Sequence, residues 1–76
     1  MKSLDINLDS VGKIKNFIEI TSKFESDLDL ISDRYIVNAK SILGVLSLDL
    51  KKALKLNIQD EKIFDDLKSQ LKPFLK

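Results

Sequence analysis

The chain has 76 residues, 43% of them hydrophobic and 33% charged, the balance of one small globular domain with a thin core rather than of two domains or a disordered tail. Lys and Arg number 13 against 12 Asp and Glu, a net charge of +1, which provides no general attraction for nucleic acid or anionic membranes. Cysteine and histidine are both absent, so disulfides, thiolate metal sites, imidazole bases and phosphohistidine are all excluded.

The opening MKSLDINLDS contains no long apolar block, and no run approaches the length of a membrane span. The expectation is a single domain over residues 1–76, cytoplasmic and without a cofactor. Leu4, Ile6 and Leu8 alternate with Asp5, Asn7 and Asp9, the period of a strand with one buried face. Asp9 and Ser10 then offer N-cap oxygens. Val11, Ile14, Phe17, Ile18, Thr21 and Phe24 fall at helical spacing, which predicts an amphipathic helix from Ser10 to about Phe24. Leu28 and Leu30 alternate with Asp27 and Asp29, and Tyr35 and Val37 lie opposite Ile36. These two strands are separated by Ser32-Asp33-Arg34, a tight hairpin without the glycine that such loops prefer.

Asn38 to Leu50 reads NAKSILGVLSLDL, the longest weakly charged run in the chain. With Ser41 as its cap, a helix runs from Ile42 to about Leu48. Leu54, Leu56 and Ile58 then alternate with Lys55 and Asn57 as a fourth strand. A last helix begins near Gln59 or Asp60, with Ile63, Phe64, Leu67 and Leu71 as its apolar stripe, and Pro73 ends or bends it. The order β-α-β-β-α-β-α with alternating strands predicts an α+β open-faced β-sandwich. It has a four-stranded antiparallel sheet with three helices on one face and a bare polar face on the other. The crossover through the first helix leaves room for another strand between the two it joins.

The middle helix holds more apolar residues than one buried face needs. At roughly 100° per residue, Val45 and Leu48 share one side, while Ile42, Leu43 and Leu46 fan out roughly 140° away. Val45 and Leu48 are the core candidates. The other three form an exposed patch suited to a partner, unless the first helix or a second copy of the chain covers them. Ser41 is a favoured N-cap. A phosphate on it would meet free N–H groups at the start of the helix, with Lys40 alongside.

VNAKSILGVLSLDL, Val37 to Leu50, closely resembles the region around the regulatory serine of HPr, the phosphocarrier of the bacterial sugar phosphotransferase system, and the order of strands and helices matches as well. The resemblance implies that Ser41 is a regulatory phosphorylation site for an HPr kinase/phosphorylase-like kinase. It further implies that Ile42, Leu43 and Leu46, with Lys40 beside them, contact that kinase and a transcriptional regulator or enzyme. The HPr family carries its phosphoryl group on a histidine in a Gly-x-His-x-Arg-Pro loop. The corresponding LDSVGKIKN, Leu8 to Asn16, has no histidine, arginine or proline. The resemblance therefore implies a divergent member that regulates through protein–protein contacts and does not carry phosphoryl groups.

A constitutive structural or homodimeric module, with Ser41 only a helix cap, is the alternative. Direct nucleic-acid binding is disfavoured, because the polar sheet face shows Asp5, Asn7, Asp27, Asp29, Lys55 and Asn57 and no aromatic platform. An acyl-carrier reading of Asp9-Ser10-Val11 fails on a near-neutral chain with strands. No enzyme is expected: Asp65 and Asp66 are adjacent on a helix and do not face each other, Asp27 and Asp29 share a solvated strand face, and two glycines cannot build a glycine-rich phosphate loop.

Overall fold

Alternation in the sequence becomes four strands. The computed structural model describes residues 2–76: β1 (Lys2–Ile6), α1 (Val11–Thr21), β2 (Leu28–Ser32), β3 (Tyr35–Asn38), α2 (Ile42–Leu46), β4 (Leu54–Ile58) and α3 (Phe64–Gln70), with 3-10 turns at Glu61–Ile63 and Lys72–Phe74. The strands form one sheet in the order β1-β4-β2-β3, and every neighbouring pair is antiparallel. β1 and β2 therefore run parallel with β4 between them, and α1 is the crossover that joins them. This is the open-faced α+β sandwich with three helices expected from the order of elements.

Register decides which side chains share a face. Leu4, Leu56, Leu30 and Val37 lie in one row across all four strands, on the side covered by helices. Ile14 and Phe17 of α1, Val45 of α2 and Leu67 of α3 close over that row in a single core. Burying each such side chain contributes roughly 1.5–3 kcal/mol. Phe17 meets Phe74 edge-on, with ring centroids 6.2 Å apart, which ties the C-terminal turn to α1. The tail also lines the outer edge of β1. Asn7 N–H donates to the Phe74 carbonyl at 2.7 Å and Lys76 N–H to that of Asp5 at 3.1 Å.

Several boundaries differ from the sequence reading. Leu8 is fully buried but lies beyond the end of β1, where the chain turns toward α1. The first helix ends at Thr21 rather than Phe24. The fully buried Thr21 donates its hydroxyl to the Ala39 carbonyl at 3.0 Å, and the chain leaves the helix there. Val11, assigned to the apolar stripe, is exposed: it stays outside the core and lines a surface groove with Leu46 and Leu50. α2 stops at Leu46, and Leu48 reaches the core from the following turn. Asp60 caps the 3-10 turn that opens the last helical segment, accepting from Lys62 N–H at 3.0 Å, and α3 proper starts at Phe64. Pro73 sits inside the closing 3-10 turn. The hairpin without a glycine places Asp33 at φ 54°, a left-handed conformation that Asp tolerates better than most residues. Asp27 lies outside β2, and the polar face is not wholly polar, since Ile31 and Ile36 are on it directly opposite each other.

Candidate functional site

The chain leaves β3 by a tight turn that sets the start of α2. Asn38 Oδ1 accepts from Lys40 N–H at 2.9 Å, and the Asn38 carbonyl accepts from Ser41 N–H at 3.0 Å. Ser41 is still extended, at φ −100° and ψ 115°. From there its Oγ accepts the Gly44 N–H at 3.2 Å, while its carbonyl accepts the Val45 N–H at 2.9 Å. Ser41 is thus the N-cap of a five-residue helix, which is too short to hold its shape without such local bonds. Ser47 closes the other end, its Oγ donating to the Gly44 carbonyl at 2.6 Å.

Gly44 sets how closely α2 lies on the sheet. A Cβ there would stand 3.3 Å from Val37 Cβ and 3.4 Å from Ser41 Oγ, so glycine lets the helix rest against β3 and leaves room around the serine hydroxyl. The helix divides as its wheel predicts. Val45 is fully buried and Leu48 nearly so, whereas Ile42, Leu43 and Leu46 are 40%, 79% and 48% exposed. Among the described residues, no element buries any of the three. Lys40 and Ser41 are half-buried beside them, so the five sequence-predicted residues form one continuous segment of surface.

A groove of about 570 Å³ extends that surface toward α1, lined by the Asn7–Ser10 loop, Val11 and Ile14 on one side and by Leu46, Leu50 and Lys51 on the other. Ser10 caps α1, its Oγ accepting from Lys13 N–H at 3.2 Å. Lys13 Nζ reaches back to Asp9 at 3.0 Å. Hydrogen bonding and charge from Lys13 hold the Asp9 carboxyl below its ordinary range. The loop thus presents a carboxylate, a hydroxyl and an exposed Val11, and no imidazole. Sequence periodicity missed Val11 and Leu50 as part of this surface, because a helical wheel cannot show which distant segments meet around one groove. Asp65 and Asp66 face solvent, and Asp66 does no more than accept from Gln70 Nε2 at 3.1 Å. No pair of carboxylates is brought together there.

The family model of the PTS HPr component phosphorylation site matches residues 13–68. This segment contains Ser41 and all of α2, and it begins just inside α1, after the Asn7–Ser10 loop. Among solved structures, the chain is similar to HPr-C-His from Thermoanaerobacter tengcongensis, with 27% identity and a TM-score of 0.73 over 95% of this chain and 92% of that one. It is also similar in fold to a phosphocarrier protein HPr from Bacillus anthracis str. Ames, with a TM-score of 0.63 and 22% identity over 92% of this chain and 93% of that one. No curated protein matches. A family match over most of the chain, joined to the β1-β4-β2-β3 sheet and the serine-capped α2, makes this protein a member of the PTS HPr family.

Proposed function

We propose that the protein is a regulatory member of the HPr family without histidine phosphocarrier activity. It acts through protein–protein contacts made by Lys40, Ile42, Leu43 and Leu46, and Ser41 is its site of regulatory phosphorylation. The observation that carries this reading is the exposed apolar side of α2 directly after Ser41, in a chain without a single histidine. Phosphoryl relay needs a nucleophile that is neutral near pH 7 and forms a labile bond, which imidazole provides and a serine ester does not. Ser10, within the LDSVGKIKN stretch, caps α1, and a serine ester cannot substitute for that chemistry.

Modification of Ser41 fits its surroundings. A kinase would transfer the γ-phosphoryl group of ATP to Oγ, breaking the bond to the β-phosphate oxygen, releasing ADP and taking up the hydroxyl proton. The phosphate oxygens would inherit the Gly44 N–H now held by the hydroxyl, a charge-assisted bond in place of a neutral one. A dianion would then stand beside Ile42 and Leu43. Partners that require a dry apolar contact would be disfavoured, and partners that present Arg or Lys would be favoured. The expected partners are an HPr kinase/phosphorylase-like kinase and a transcriptional regulator or enzyme.

The test is intact mass after incubation with ATP and an HPr kinase/phosphorylase, with Ser41→Ala as control. One phosphate on the wild type and none on the variant supports the reading. No phosphate under conditions that modify an authentic HPr leaves Ser41 a helix cap and removes the switch.

A further inference from the structure

The two edges of the sheet are treated differently. The C-terminal tail covers the outer edge of β1, with an isolated bridge between Ile6 and Leu75. Among the described residues, nothing pairs with the outer edge of β3. Proteins usually protect such an edge by keeping it short or with lysine, proline or a bulge. β3, Tyr35–Asn38, is only four residues long but has no lysine, proline or bulge. It exposes Tyr35 by 70% and Ile36 by 64%.

Hydrogen-bond alternation fixes which backbone groups are free. Ala39 N–H donates inward to the Leu28 carbonyl at 2.8 Å. Successive residues of an antiparallel strand point their N–H and C=O to opposite sides, so Val37 faces β2 while Ile36 and Asn38 face outward. The Asn38 carbonyl is already engaged by Ser41 N–H, which leaves Ile36 as the residue with both groups available.

We infer that β3 pairs antiparallel with β3 of a second copy about a twofold axis through Ile36, joining two four-stranded sheets into one of eight strands. In this register, Ile36 exchanges two backbone hydrogen bonds with its own counterpart, and Tyr35 lies opposite Val37 of the other copy. Side chains that meet belong to the same sheet face, as continuous pairing requires. On the open face, Ile31 and Ile36, which are partners within the chain, become one apolar row of four isoleucines across the seam. The neighbouring register, centred on Val37, would bring Arg34 toward Lys40 and would need the occupied Asn38 carbonyl. A second copy is a better occupant than an unrelated strand because the apolar row is self-complementary. A net charge of +1 puts almost no repulsion between copies. The seam is four residues long, so its area falls below that of a permanent interface, and the dimer is a weak one.

The experiment is sedimentation velocity of the full chain from about 20 μM to about 1 mM, the range in which small interfaces associate, with amide exchange read at both ends. The expected result is a sedimentation coefficient that rises with concentration and an Ile36 amide that exchanges about tenfold more slowly at the high end. Ile36→Lys should abolish both effects. Leu46→Asp, which alters the α2 surface, should leave both intact. A monomer at every concentration would overturn the inference and leave the edge to an extended segment of a different protein. Association lost in Leu46→Asp and kept in Ile36→Lys would overturn it equally, by placing the contact on α2.

Discussion

The Ser41 hydroxyl accepts one of the orphan N–H groups at the start of α2, and it is also the atom a kinase would modify. The two roles can be separated by substitution. Ser41→Ala removes the cap and should lower the unfolding free energy by about 1 kcal/mol. Ser41→Asp keeps an acceptor for the Gly44 N–H and should stay within about 0.5 kcal/mol of the wild type. Urea titration of the three proteins checks both values. An aspartate variant as unstable as the alanine one would mean that a negative group does not fit at this helix start, which would also count against phosphorylation. The serine's role as a cap was legible from its place before an apolar run. Its bond to Gly44 N–H and the close approach of Gly44 to Val37 were not, since both depend on how α2 sits on β3.

At the scale of the element, α2 has a buried side and an open one, and the two should respond differently to substitution. Val45→Ala, which leaves a void beneath the helix, should cost about 2 kcal/mol. Leu46→Asp, on the open side, should cost less than about 1 kcal/mol yet remove partner binding if the proposed function is right. Denaturant midpoints together with a pull-down against the phosphorylated and unphosphorylated forms would report both. The reverse order of stabilities would contradict the orientation of the helix. A wheel sufficed to separate these faces because the helix is short and lies flat on one layer. The same method failed for Val11. Its spacing matches Ile14, but it lines the groove beside Leu46 and Leu50 and not the core.

For the whole molecule, the missing histidine has a thermodynamic consequence as well as a chemical one. With neither histidine nor cysteine, the chain lacks the side chains that ordinarily titrate near neutral pH. Stability should therefore be level from about pH 5.5 to 8.5. Two exposed ion pairs set small effects outside that window. Asp9 is held below 3.8 by the hydrogen bond and charge of Lys13. Its contribution is present above that value and is lost as pH falls through the depressed pKa. Lys52 is raised above 10.5 by its hydrogen bond to Asp33, 2.7 Å away. Its contribution is present below that value and is lost as pH rises through the elevated pKa. Both pairs face solvent and should weaken with added salt. Thermal unfolding across the pH range checks the profile, and a step near pH 6.5 would show that a buried group titrates where none is expected.

The sequence by itself determined the class of fold, the order of elements, the inward side of β1, β2 and β4, and the division of α2 into a core side and a second apolar side. Hydrophobic period and capping residues are local properties, and burial of one face follows directly from them. Only the tertiary structure decided where α1 stops, because the buried Thr21–Ala39 hydrogen bond joins residues 18 apart. It also decided that the groove beside Leu46 reaches Val11 and Leu50, and that, among the described residues, the tail covers the edge of β1 while no segment pairs with that of β3. These features depend on which segments meet across the sheet, and pairing between distant segments leaves no period in the chain.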